Sequence, residues 1–328
     1  MNSNRFKLLY IGDCKYLHHD RFIEVLSEVF EVKSVFVLED FDELQLNFHP
    51  DVVMCAPLLE PLIFAINNFT SPIIGICWAQ ELNEVRRVKP NDSDYASALS
   101  SLSGIVTDNS HTISILRNSM NFQGLIAKMS FNLVSFNNIQ AGAEKVNAQP
   151  TFISARRFES LYRNDLILAA LKFLSKETQL RLTAIGGGSQ LAEMKEKYDE
   201  QINLGLFTFT GPLSSTKTLE HIGESDFYIS AAKSDGISVT LLEAMSIGKI
   251  CIVPDFPSNL EAIENGVNGF LFKNGDIKSL ISQCRQVIML QADERKCISK
   301  NAMQTIAERY NPISSRNTLI DFVKSIVG

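Results

Sequence analysis

Along this chain, short apolar runs alternate with segments whose apolar positions recur every three or four residues. The first kind of pattern fits strands buried on both faces, and the second fits helices with one buried stripe. Lys7 to Gly12 reads as a strand and Leu17 to Val29 as a helix. Val35 to Leu38 and Asp51 to Ala56 read as strands, Leu59 to Phe69 as a helix, and Pro72 to Trp78 as a strand. Gly104 to Thr107 and Leu125 to Phe131 are further strands, with a helix from Ser110 to Asn118 between them. Such alternation predicts an α/β fold, a parallel sheet wrapped by helices.

The rhythm breaks over Asn132 to Gln149, a stretch rich in Asn, Ala, Gln and Gly that ends at Pro150. It reads as the connection between two domains. The alternation then restarts. Strands are expected at Thr151 to Ala155, Leu180 to Gly186, Leu206 to Gly211, Asp226 to Ala231, Lys249 to Pro254 and Gly269 to Phe272. Helices are expected at Asn164 to Ser175, Leu191 to Tyr198 and Val239 to Ile247. The tail from Leu280 to Val327 reads as helix in three pieces, broken near Gln291 and near Pro312. Two doubly wound domains imply a cleft, and ligands of such sheets bind beyond the carboxyl ends of the strands. Residues just after strands therefore carry the search for chemistry.

Composition narrows the function classes. The chain has 328 residues, 45% hydrophobic and 21% charged, which suits a globular protein of about two domains. Its net charge of −6 is spread without long single-sign runs, which argues against nucleic acid as a partner. No signal-peptide pattern opens the sequence, and no apolar stretch reaches the roughly 18 residues of a membrane span, so a cytoplasmic protein is expected. The six cysteines form no CxxC pair, and Cys55, Cys77 and Cys251 lie in apolar runs, where buried, reduced thiols are expected. The five histidines do not cluster as metal ligands, and no metal site is expected.

One segment stands out. After the strand at Asp226 comes Ser234-Asp235-Gly236-Ile237-Ser238, then the helix from Val239. The backbone N–H groups of Gly236 to Ser238 would sit at a helix N-terminus, a natural seat for phosphate. Ser234 or Asp235 would equally serve as a simple helix cap. Capping leaves Glu243 unexplained, a second carboxylate inside the otherwise apolar helix Val239 to Met245.

Asp235 to Glu243, with Ala244-Met245 and Gly248 following, resembles the donor-binding signature of the family-four glycosyltransferases, which have the two-Rossmann GT-B fold. The resemblance continues through Lys249 to Asp255, Glu261 and Asn265 to Leu271. Upstream, Ser154 to Tyr162 is similar to the segment where the family places a phosphate-binding Arg; Ile185 to Gly188 and Phe209 to Gly211 also fall at family positions. It covers roughly Pro150 to Gly275. Over the first half only the architecture is alike.

The resemblance implies a fold, an activity and a site. Residues 1–145 would form an acceptor domain, 146–309 the donor domain, and 310–328 a helix crossing back to pack on the first domain. The activity would be that of a retaining hexosyltransferase, moving a sugar from a nucleotide-sugar to an acceptor hydroxyl without a metal or other cofactor. UDP-sugars are favoured as donors over GDP-mannose. The acceptor would be a sugar, a lipid-linked oligosaccharide or a protein, in surface polysaccharide or glycolipid assembly. Glu243 would bind the ribose, Asp235 the donor sugar, Gly236, Ile237 and Ser238 the sugar and phosphate, and Arg156 the diphosphate. Gly211 to Leu213 would border the base, and Gly12 would lie near the phosphate.

The sequence also departs from the family. Asp235 stands where many members have Glu, and Tyr162 where a phosphate-binding Lys is usual, leaving Arg163 or Arg157 as the second cation. In the first half Glu81, His18 and His19 are the candidates near the reacting carbon; His111 and Trp78 read as helix-start and core or cleft-wall residues. The basic stretch Glu84 to Lys89 reads as a solvated loop or as a contact with anionic lipid at the inner membrane face. A sugar-nucleotide epimerase and a non-catalytic partner subunit are the rival readings.

Overall fold

The computed structural model describes residues 5–12, 19–36, 48–79, 82, 93–133 and 149–328. Cys14, His18, Glu81, Glu84 to Lys89 and most of the expected connection, 134–148, lie outside the described residues. The chain divides into two compact units, Met1–Ser135 with Asn311–Gly328, and Phe136–Tyr310.

In the first unit, β1 (Lys7–Gly12), β2 (Glu31–Phe36), β3 (Val52–Ala56), β4 (Ile73–Cys77), β5 (Gly104–Thr107) and β6 (Leu125–Lys128) form a parallel sheet in the order 2-1-3-4-5-6. Its fully described helices are α1 (His19–Ser27), α2 (Glu60–Asn68), α3 (Ser93–Ser100) and α4 (Ser110–Ser114), the last continued by a π turn to Ser119. Burial follows sheet position. β3 and β4, in the middle, are buried at every residue, while β2 and β6, at the edges, carry the exposed Glu31, Lys33 and Lys128. This is why the central strands read as unbroken apolar runs.

The second unit runs β7 (Thr151–Ala155), α5 (Asn164–Leu174), β8 (Arg181–Ile185), α6 (Leu191–Lys197), α7 (Asp199–Asn203), β9 (Phe207–Gly211), α8 (Ser215–Glu224), β10 (Phe227–Ile229), α9 (Val239–Ser246), β11 (Ile250–Pro254), α10 (Pro257–Ala262), β12 (Phe270–Phe272), α11 (Ile277–Met289) and α12 (Ala292–Arg309). Its parallel sheet has the order β12-β11-β10-β7-β8-β9. Strand pleating divides the core into two layers. Phe152, Phe227, Ile229, Ile250 and Ile252 face α5 and α11, whereas Ile153, Tyr228, Cys251 and Val253 face α9 and α12. The sheet is therefore covered on both faces, as a doubly wound sheet requires.

The last helix, α13 (Pro312–Val327), belongs to the first unit, where Phe322 and Ile326 lie over Gly104 of β5. The tail breaks where the sequence pattern places them, with Gln291 and Asn311 each capping the following helix. Helices α3, α7, α8 and α10 were not legible. In α8 only Leu219 and Ile222 are buried, too sparse a stripe to stand out. Cys55, Cys77, Cys251 and Cys284 are buried thiols in no disulfide, and Cys297 is an exposed one. No described helix is long and apolar enough to cross a membrane.

Leu319 of α13 is fully buried. Leu319→Ala should lower stability by about 2–4 kcal/mol through loss of that packing, measured by denaturant unfolding.

Candidate active site

The order of the second sheet reverses between β7 and β10. From β7 the chain winds outward through β8 and β9, and from β10 it winds the other way through β11 and β12. The loops leaving β7 and β10 therefore diverge and open a crevice at their carboxyl ends, the general ligand position of such sheets. Arg156 directly follows β7, and Ser230 to Ser238 follow β10.

These two loops meet. Arg156 Nη2 donates to the Asp235 carboxylate in a close ion pair, and its Nη1 donates to Ser238 Oγ at 2.6 Å. The guanidinium lies over the Tyr162 ring, 4.3 Å from its centroid. The Arg156 side chain is only 10% exposed. Burial would lower its pKa, but the Asp235 carboxylate, with Tyr228 and Tyr162, outweighs that and raises it, so the group stays cationic.

Ser238 also opens α9. Its hydroxyl accepts from Leu241 N at 3.4 Å, leaving the arginine and the helix N-terminus joined through one oxygen. The loop is further fixed by main-chain bonds. Ser258 Oγ donates to the Asp235 carbonyl at 2.7 Å, and Lys233 N donates to the Leu161 carbonyl at 2.8 Å. Glu243, five residues into α9, is buried at 5% exposure among Leu241, Leu242, Ala244 and Met245.

A second support lies beneath Arg156. Gly186 and Gly188 follow β8 with φ of +140° and +146°. A Cβ on Gly186 would strike the Arg156 carbonyl, and one on Gly188 would sit 2.5 Å from the Phe158 carbonyl. Phe158 N donates to the Gly187 carbonyl at 2.8 Å, and Gln190 N to the Phe158 carbonyl at 2.9 Å. The glycines thus let one main chain lie directly against another.

The remaining expected residues fall elsewhere in the fold. Arg163 caps α5 in the left-handed region, and its Nη1 donates to Asn274 Oδ1 at 2.8 Å. Asn274 in turn donates to the Lys233 carbonyl at 2.8 Å, so Arg163 braces the loop that carries Asp235. Arg157 lies 3.8 Å from Glu159, whose carboxylate also accepts from Ser189. Gly211 ends β9 with φ +76° and faces open space, and Leu213 packs at the edge of the α9 core. Gly236 and Ile237 are buried, Ile237 within that same core.

In the first unit, Gly12 ends β1, and the Phe36 and His19 rings occupy the space a Cβ would need. His19 is buried; Nδ1 lies 2.8 Å from the Tyr10 hydroxyl, and its ring packs edge-on against Tyr10, Phe36 and Trp78. It belongs to an aromatic cluster with Phe22 and Phe131. His111 is exposed at the start of α4, which Asn109 caps.

The sequence reading missed Tyr228. Its side chain is fully buried beside Arg156, and burial pushes its pKa up to about 12 against the pull of that cation. Its hydroxyl lies beside Ser238, the residue that also takes Arg156 Nη1. In the run Asp226-Phe227-Tyr228-Ile229 it looks like any core aromatic. Only its register, on the α9 face, brings it to the site.

Comparison with known proteins gives the family and the fold. The family model for glycosyl transferases group 1 matches residues 135–305, just over half of the chain. The chain belongs to that family. An uncharacterised glycosyltransferase of Methanocaldococcus jannaschii is 31% identical over 133 residues, 40% of this chain and 33% of that protein. A sulfoquinovosyl transferase of Arabidopsis thaliana is 24% identical over 142 residues, 42% of this chain and 26% of that protein. The alignments thus span a third or less of these relatives. Anabaena HepE, solved in complex with UDP-glucose, matches the fold with a TM-score of 0.77 at 15% identity, over 98% of this chain and 100% of that one. Sucrose-phosphate synthase from Thermosynechococcus elongatus matches with a TM-score of 0.79 at 10% identity, over 98% and 99%. The group 1 chain therefore has the GT-B type of α/β fold, two Rossmann-like domains.

One outcome follows from the packing around Arg156. Gly188→Ala should destabilise the group 1 protein by roughly 2–4 kcal/mol in denaturant unfolding, from strain plus main-chain overlap.

Proposed function

We propose that this protein is a retaining glycosyltransferase that moves a hexose from a nucleotide-sugar to an acceptor hydroxyl. The observation that carries the reading is the convergence of Arg156, Asp235 and the N-terminus of α9 at the strand-order reversal, with Glu243 buried on the same helix.

The chemistry follows from charge. When the bond from the anomeric carbon to the diphosphate breaks, the electron pair stays on the leaving phosphate oxygen. Arg156 and the N–H groups that open α9 stabilise that charge without a metal. Asp235 accepts hydrogen bonds from the sugar hydroxyls, and Glu243 from the ribose. The acceptor oxygen bonds to the same face of the anomeric carbon, and its proton passes to the departing phosphate. Configuration is thereby retained, and no protein nucleophile is needed.

A UDP-hexose is the favoured donor, supported by the fold likeness to HepE, which was solved with UDP-glucose. GDP-mannose is the second candidate. Surface polysaccharide or glycolipid assembly is the expected setting.

Thermal-shift screening against nucleotide-sugars, followed by mass spectrometry of the product, identifies the donor, and NMR of the new anomeric centre reads retention. Arg156→Ala and Glu243→Ala should each lower kcat/KM on the order of 100-fold while circular dichroism shows the fold intact. Near-native turnover in both variants would remove the assignment.

A further inference from the structure

Arg156 is the cation on which the proposed transfer depends, yet the chain already places an anion against it. One terminal nitrogen is on Asp235, the other on Ser238, and its face is on Tyr162. A guanidinium offers five N–H donors, so three remain open, but a diphosphate that takes them brings its own charge beside the Asp235 carboxylate. The neighbouring arginines are committed too, Arg157 near Glu159 and Arg163 to Asn274.

We propose that Asp235 competes with the donor's diphosphate for Arg156, so the site holds an intact nucleotide-sugar in preference to the free nucleoside diphosphate. This rests on the glycosyl-transfer reading above and assigns Asp235 a role in specificity as well as in sugar contact.

The order in which Arg156 gives up its partners follows from the geometry. Ser238 is held by its place as the cap of α9, and Tyr162 is held under the guanidinium by packing. Asp235 is held differently: its side chain is 19% exposed, and its loop is anchored through the main chain. The carboxylate can therefore turn away while the loop stays. Once turned, it needs hydrogen-bond donors, because a half-buried carboxylate left unpaired is costly. The hydroxyls of a donor sugar supply them. A free nucleoside diphosphate supplies none, and it also meets the carboxylate's like charge. After transfer the sugar is gone, Asp235 returns to Arg156, and the diphosphate is displaced.

The test is isothermal titration calorimetry on the full chain, with UDP against UDP-glucose and GDP against GDP-mannose. Wild type should bind the sugar-bearing member of one pair about tenfold more tightly than its free diphosphate. Asp235→Asn and Asp235→Ser, two neutral variants of the same position, should each tighten the free diphosphate about tenfold and erase the preference. Asp235→Glu keeps the carboxylate and should keep the free diphosphate weak. Equal or weaker binding of the diphosphate in both neutral variants overturns this proposal and leaves the transferase reading standing. If wild type and variants bind none of the four nucleotides, the transferase reading falls and this proposal with it.

Discussion

The second domain depends on a buried guanidinium that has to be neutralised. Arg156 leaves β7 at the point where the sheet changes its direction of winding, and almost all of its side chain is withdrawn from water. A cation in that position without a counter-charge would destabilise the fold by several kcal/mol. Asp235 supplies the counter-charge from the other side of the reversal, across 79 residues of sequence. One contact thus joins the two halves of the sheet and sets the chemistry of the crevice above them. Ser238 extends the contact to α9, and the glycines after β8 press the Arg156 loop into place from behind.

Much of this was legible because it is local. The strands at Lys7, Gly104 and Thr151 begin and end where the apolar runs do, since interior parallel strands are apolar on both faces. Glu243 stood out because an apolar helix has no packing use for a carboxylate, and the structure buries it. The short helix α10 was not legible, since six residues carry too little periodicity to recognise. Tertiary partnerships were not legible either. Arg163 and Asn274 are 111 residues apart, and nothing in either segment announces the other. Arg156 and Arg163 look alike as sequence, yet one enters the crevice and the other braces a loop.

The first domain separates architecture from chemistry more sharply. Its sheet was readable in strand order, although β2 lies at Glu31–Phe36, four residues ahead of the start expected at Val35, but its candidate residues were not. His19, at the head of a helix after the first strand, had the position of a site residue. The structure packs it into an aromatic cluster and against the Tyr10 hydroxyl. Sequence pattern gives the face of a helix, but it does not say whether that face meets solvent, a ligand or three aromatic rings. Chemistry in such folds lies in loops, which have no period to read.

Helix α13 has a consequence for how the chain acquires its structure during synthesis. The first domain is discontinuous, closed by residues 311–328, while the second is one unbroken stretch. Domains form as units while the chain emerges from the ribosome. The second domain can therefore complete itself while the first, although made earlier, still has β5 uncovered where Phe322 and Ile326 will lie. The order of maturation is the reverse of the order of translation, and the exposed apolar face of the first sheet must stay soluble until the last helix arrives.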